Sequence, residues 1–248
     1  MPETAPRIDA EEVEKFEAIA AEWWDPKGKF APLHKMQPVR LRYLVDQIAA
    51  QFGRNPGGPE PFDGLTVVDL GCGGGLLCEP MARLGANVLG VDASHRAISV
   101  AQAHAQDMEL DIAYRCATVE EVASDGLEAE VVLAMEIVEH LPDPGAFLLD
   151  AAKLVKPGGL LIASTLNRNA KSFLSAIVGA EYLLSWLPRG THDWRKFLTP
   201  DELAEKIEAA GLKVVDRKGM VYRPMSDDFA LSSSDLSVNY VIMAEKRS

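Results

Sequence analysis

Short apolar runs alternate along this chain with stretches whose apolar positions recur at helical spacing, a pattern that predicts a sheet wound with helices on both faces. The runs cover residues 67–70, 87–92, 111–115, 130–135, 160–165, 213–217 and 238–245. They predict an α/β fold: a doubly wound, mostly parallel sheet of seven strands. Lys156-Pro157-Gly158-Gly159 forms the turn into the fifth run, and Thr199-Pro200-Asp201-Glu202 caps a helix that ends near Gly211. Upstream, residues 10–24 and 38–52 read as two helices, followed by the loop Asn55-Pro56-Gly57-Gly58-Pro59. They make an N-terminal helical cap over residues 1–60, set on a core over residues 61–248, all within one domain.

One further helical pattern follows the fifth strand, in an insertion over about residues 168–198. Apolar residues recur from Phe173 through Ala176, Ile177, Ala180, Leu183, Leu184 and Leu187, with Tyr182 and Trp186 alongside and Arg168, Lys171 and Arg189 flanking. A core-facing helix and a membrane-surface helix both fit this pattern. The second would use its cations, over about residues 171–189, to hold an acidic protein reversibly against anionic headgroups.

Composition narrows the function. With 248 residues and 48% hydrophobic content the chain can bury one sizeable core. A net charge of -12 argues against a polyanionic partner, so nucleic acid is not an expected substrate. Met1-Pro2-Glu3-Thr4-Ala5-Pro6 leads into acidic sequence, which predicts no secretory leader, and no apolar run is long enough to span a bilayer. The expected compartment is the cytoplasm. Cys72, Cys78 and Cys116 lack zinc-site spacing and read as buried reduced thiols.

The densest chemistry lies in Val67-Val68-Asp69-Leu70-Gly71-Cys72-Gly73-Gly74-Gly75, a strand that runs through an acid into a glycine loop and then a helical pattern. Glycines at such a bend allow positive φ and close backbone approach by a ligand, and the next helix offers unpaired N–H groups. A nucleoside cofactor is expected here. The dinucleotide fingerprint needs Gly or Ala three residues after its second glycine, where this chain has Leu76 or, in the alternative frame, Cys78. Asp69 also sits badly beside an anionic pyrophosphate but well beside the ammonium of a methionine moiety. Charge therefore favours S-adenosylmethionine. Asp92, at the end of the second strand, is placed to accept hydrogen bonds from both ribose hydroxyls.

Met135-Glu136-Ile137-Val138-Glu139-His140 follows at the end of the fourth strand. In helical geometry Glu136, Glu139 and His140 share a face, and two carboxylates with one imidazole suit a divalent cation, Mg²⁺ or Mn²⁺, with Zn²⁺ left open by the imidazole. Such an ion would stabilise a phenolate, which a phenol with a pKa near 10 otherwise forms poorly at neutral pH. The other reading has the acids capping a short helix while His140 packs near the cofactor or acts alone as the base. His192, in Gly190-Thr191-His192-Asp193, is a second candidate base or a turn residue.

Longer motifs connect these sites. Phe16-Glu17-Ala18-Ile19-Ala20-Ala21-Glu22-Trp23-Trp24-Asp25, Pro32-Leu33-His34, Pro38-Val39-Arg40-Leu41, Ser164-Thr165-Leu166-Asn167-Arg168-Asn169, Gly179-Ala180-Glu181-Tyr182 and Gly190-Thr191-His192-Asp193 with Lys196-Phe197 together resemble the O-methyltransferases of ubiquinone biosynthesis, from about Val13 to Glu245. The resemblance implies a Rossmann-like class I methyltransferase acting on the aromatic hydroxyls of a polyprenylated 6-hydroxyphenol and later of a demethylubiquinol. It implies cofactor contacts at Arg40, Gly71, Asp92 and Met135, which join Asp69 and Gly73 from the loop. Glu136, Glu139 and His140 match metal-liganding positions proposed for eukaryotic relatives. The expected setting is the inner face of the cytoplasmic membrane, with other enzymes of the pathway as partners. Transfer to another small acceptor and a non-catalytic cofactor-binding subunit are the competing functions.

Overall fold

Side chains alternate across the sheet into two cores, and that sorting decides which helices lie on which face. In the computed structural model, which describes residues 9–169, 172 and 194–247, β1 (Thr66–Leu70), β2 (Asn87–Asp92), β3 (Ala113–Cys116), β4 (Ala129–Met135) and β5 (Val155–Leu166) pair in parallel, in the order β3-β2-β1-β4-β5. Beyond β5 the order continues β8 (Asn239–Glu245), β6 (Lys213–Arg223), β7 (Asp228–Ser232), with β8 antiparallel to β5 and β6. Val67, Val131, Leu133 and Ile162 pack with α2 (Ala31–Gln51) and α3 (Cys78–Arg83). Val68, Val132, Ala134 and Leu161 pack with α5 (Val119–Ser124), α6 (Pro144–Leu154) and α7 (Pro200–Ala209). Helices cover both faces of the parallel strands, as the α/β pattern predicts.

The sheet has eight strands among the described residues, where the apolar pattern predicts seven. β6 runs on to Arg223, the chain reverses at Asp227 with φ 53°, and β7 pairs back along it from Arg223↔Asp228 to Gly219↔Ser232. Asp-Phe-Ala-Leu-Ser in β7 is half-buried throughout and gives no continuous apolar run. At β5 the predicted turn is a large bulge: Val155 pairs with Ala129 and Leu160 with Val131, so residues 156–159 loop out between them. Thr199 and Glu202 form a reciprocal capping box at the start of α7.

The N-terminal helices depart from their predicted bounds. α1 (Ala10–Ile19) stops early and tightens into a 3₁₀ turn at Ala20–Glu22, which sends Trp23 and Trp24 toward the glycine loop instead of along a helix. α2 begins at Ala31, before the predicted start, and carries Pro38 inside. One lost N–H is tolerated there because the first turn is held independently, by Leu33 and His34 N–H groups on the Phe30 carbonyl and the His34 ring on the Trp23 carbonyl at 2.8 Å. The predicted amphipathic run over 173–187, with Lys171 and Arg189, lies outside the described residues. Arg168, its other flanking cation, pairs with Glu202.

Candidate active site

Asp69, Asp92 and Met135 all stand at the carboxyl edge of the parallel strands, where a doubly wound sheet binds ligands. The glycine loop after β1 turns with φ 72° at Gly71 and 52° at Gly73. A Cβ on Gly71 would lie 2.3 Å from Ile137 Cδ1, and one on Gly73 2.3 Å from the Trp23 ring, so both positions require glycine for conformation and for space. Trp24 donates from Nε1 to the Gly74 carbonyl at 2.9 Å and stacks on His104 at 3.6 Å. Trp23 stacks on Phe30 at 3.7 Å. The two tryptophans thus brace the loop, Trp23 from the ligand-cleft side, a role that sequence reading missed.

Asp92 locks the loop to the second strand. Its carboxylate accepts from Gly73 N–H at 2.9 Å and from Ser94 N–H at 2.8 Å. Burial pushes its carboxyl above the usual range, and the Ser94 and Gly73 N–H groups pull it back. Beside it opens a cleft of about 1060 Å³, including its mouth. Gly71, Gly73 and Asp92 form one wall, Ala117 and Thr118 another, Glu136, Ile137 and His140 a third, and Asp9, Glu12, Val13 and Phe16 of α1 roof it. The 9, 12, 13, 16 spacing is one helical face, the signal that would have found the roof; Ala117 and Thr118 carry no motif.

Four expected site residues are not part of that wall. Met135 is buried in the core on the α2 side. Asp69 is buried with Cys78 Sγ at 3.4 Å; burial pushes its carboxyl up to about 7, against the Cys78 and Arg40 contributions. Arg40, 3% exposed, donates to Gln37 Oε1 at 2.7 Å and the Leu33 carbonyl at 3.3 Å, while its Nε has no partner. A buried guanidinium N–H without an acceptor is costly, and a ligand carboxylate would satisfy it. Glu139 is the fourth.

Glu136, Glu139 and His140 do not share a helical face. Glu136 takes a left-handed φ of 56°, which breaks the helical register before the 3₁₀ turn Val138–His140. Each side chain then finds a different partner: Glu136 Oε1 accepts from Ser164 Oγ at 2.6 Å, Glu139 Oε2 from Thr165 Oγ1 at 2.8 Å, and His140 Nδ1 meets Glu12 Oε2 at 3.0 Å. Burial and the charge of Glu136 push the Glu139 carboxyl up, and the His140 hydrogen bond, with Lys15, brings Glu12 down to about 2. Among the described residues no group of three His, Cys, Asp or Glu side chains is placed to hold a metal ion. The predicted donor set therefore does not fit a divalent cation as it stands. His192 lies outside the described residues.

A methyltransferase-domain family model matches residues 33–217. Proteins named ubiquinone biosynthesis O-methyltransferase from Dinoroseobacter shibae and Cereibacter sphaeroides are 59% and 58% identical to this chain, the matches covering 94% and 99% of each partner respectively. Among solved structures, magnesium protoporphyrin IX methyltransferase from Synechocystis, with S-adenosylhomocysteine bound, superposes with a TM-score of 0.62 at 18% identity over 94% of both chains, a likeness of fold.

Proposed function

Because this chain belongs to the ubiquinone biosynthesis O-methyltransferases, we infer that it transfers the methyl group of S-adenosylmethionine to phenolic hydroxyls of polyprenylated intermediates, a catechol and a demethylubiquinol. The observation that carries the site assignment is the carboxylate of Asp92, tied to the loop by the Gly73 N–H and held from its own strand end by the Ser94 N–H, yet still in the cleft wall. Its remaining lone pairs suit a vicinal diol. Arg40 and Asp69 are buried behind the wall, close enough to interact by charge, with Glu136 of the wall also acting on Arg40. They would take the carboxylate and the ammonium of the cofactor's amino-acid end only if that end passes beyond the glycine loop, where the unpartnered Arg40 Nε offers a donor.

When bound, the cofactor supplies an electrophilic methyl on sulfur. The protein must then align an acceptor oxygen with it and remove the phenol proton. His140 is the cleft-lining group whose ordinary pKa suits a base near neutral pH. With Nδ1 donating to the Glu12 carboxylate, a neutral ring carries its lone pair on Nε2, and the carboxylate steadies the imidazolium that forms. Glu136, held by Ser164, adds negative charge to the same wall.

The pH dependence of binding follows from Asp69. Burial pushes the Asp69 carboxyl up to about 7, and an ammonium brought beside it would pull it down, so a bound cofactor and a proton would compete. Affinity for S-adenosylmethionine should peak between about 7 and the point at about pH 8 where an α-amino group loses its proton, and drop about tenfold per unit as pH falls below about 7. Calorimetric titration across this range checks the slope, and Asp69→Asn should flatten it at the weaker level.

Methyl transfer to a short-chain prenylated catechol, run with EDTA and then with Mg²⁺, Mn²⁺ or Zn²⁺ restored, tests the proton-removal route. His140→Gln should lower kcat about 100-fold with the KM for S-adenosylmethionine unchanged, and chelator should have no effect. Activity lost to chelator and returned by metal would instead bring Glu136, Glu139 and His140 together on an ion. A lipid-soluble acceptor also favours the membrane-surface reading of the 173–187 run. Anionic liposomes should then float the protein, and Leu183→Glu with Leu184→Glu should release it.

A further inference from the structure

α1 has no buried residue along its whole length. Its C-terminal end is nevertheless anchored, because Phe16 and Ile19 pack on the cluster of Ala20, Trp23, Phe30 and Leu76 beside the glycine loop. Its N-terminal half crosses the cleft and is tied on the far side by charge. Lys196 Nζ lies 3.1 Å from Asp9 Oδ2 and 3.6 Å from Glu12 Oε1, and Glu12 Oε2 also meets His140 Nδ1 at 3.0 Å. On the near side Glu17 Oε1 accepts from Ser94 Oγ at 3.3 Å, next to Asp92. A ten-residue helix is marginal by itself in water, so these ties and the anchored end decide whether α1 lies down.

From this geometry we propose that α1 is a strap across the cofactor cleft, its N-terminal half lifting from the end anchored by Phe16 and Ile19, and that Lys196 is the latch that holds it shut. The inference rests on reading the cleft as the cofactor site. Lys196 does not itself line the cleft, so it is a positioning residue that acts through Asp9 and Glu12. Segments held by few buried apolar contacts open at low free-energy cost. A cofactor or product beneath such a strap exchanges only when the latch breaks, and the latch stands in the turn Trp194–Lys196, near the end of the insertion. Cofactor retention is thereby tied to the insertion as well as to the glycine loop.

The test uses the full-length protein with labelled S-adenosylhomocysteine, chased by excess unlabelled ligand. Lys196→Ala should raise the dissociation rate about fivefold, as expected for the loss of two half-buried ion pairs, while Lys196→Arg should keep the wild-type rate. The wild-type rate should also climb more steeply than the Lys196→Ala rate as KCl rises from about 0.05 to about 0.5 M, because the variant keeps every other screened contact and lacks only the latch. A merely structural lysine would change the melting temperature without this salt difference. A Lys196→Ala rate within twofold of wild type, or a wild-type rate insensitive to salt, overturns the strap. Should Lys196→Ala not fold, Asp9→Asn, which removes the closer partner of Lys196, should raise the dissociation rate and flatten its salt dependence in the same way, and a wild-type rate and slope there overturns the latch. Wild-type protein that binds no S-adenosylhomocysteine removes the cofactor reading beneath it, whereas tight binding with unaltered rates removes the strap alone.

Discussion

Replacing Asp92 by alanine raises the Kd for S-adenosylmethionine about a thousandfold, the largest loss expected of any single change in the cleft. The two hydroxyl hydrogen bonds proposed for the carboxylate would disappear, each worth about 1.5–3 kcal/mol, and the Gly73 and Ser94 N–H groups lose their acceptor at the same time. Asp92→Asn keeps one carbonyl oxygen for these donors and should lose far less, about tenfold. Calorimetric titration of both variants, with thermal melts to show that they remain folded, distinguishes a ligand-binding acid from one that only braces the loop. A bracing role would lower Tm in both variants and leave the affinity of the surviving folded protein near wild type.

Gly73→Val has the second-largest effect, and it acts on stability and binding together. The position needs φ 52°, which a β-branched residue adopts at a cost of about 1–3 kcal/mol, and its Cβ would stand 2.3 Å from the Trp23 ring. Displacing Trp23 adds overpacking of about 1–3 kcal/mol, because the indole is stacked on Phe30 and cannot move alone. A total near 3 kcal/mol lowers Tm by about 6–12 °C in a chain of this size. Cofactor binding should disappear in the same variant, since the Gly73 N–H no longer points at Asp92. Thermal unfolding followed by ligand titration checks both. A variant with normal Tm and normal affinity would mean that the loop and the Trp23 clamp move apart freely.

Most of the sheet could be read from the sequence because parallel strands buried on both faces leave uninterrupted apolar runs, as in β4. β7 could not, since a half-buried edge strand after a turn leaves neither a run nor a clear alternation. The glycine loop and Asp92 were legible for a different reason: positive φ and a strand-end acid leave residue types that few other arrangements demand. The geometry after β4 was not. The spacing of Glu136, Glu139 and His140 suggests one helical face, and only the left-handed backbone at Glu136 shows why the three diverge. Trp23 and Trp24 were visible as a motif, but their purpose depends on a 3₁₀ turn that ends α1 early. The roof formed by Asp9, Glu12, Val13 and Phe16 required knowing where α1 lies, which no local pattern supplies.

A cleft that methylates a phenolic oxygen with S-adenosylmethionine is recognised by its product. Wild-type protein would be incubated with S-adenosylmethionine and a short-chain prenylated catechol, and the product's position of methylation determined by mass spectrometry and NMR, with Asp92→Ala run in parallel. The predicted result is a mono-O-methylated catechol from the wild type and none from Asp92→Ala. Methylation at carbon or at a carboxylate, or tight cofactor binding with no transfer to any phenol, would contradict it.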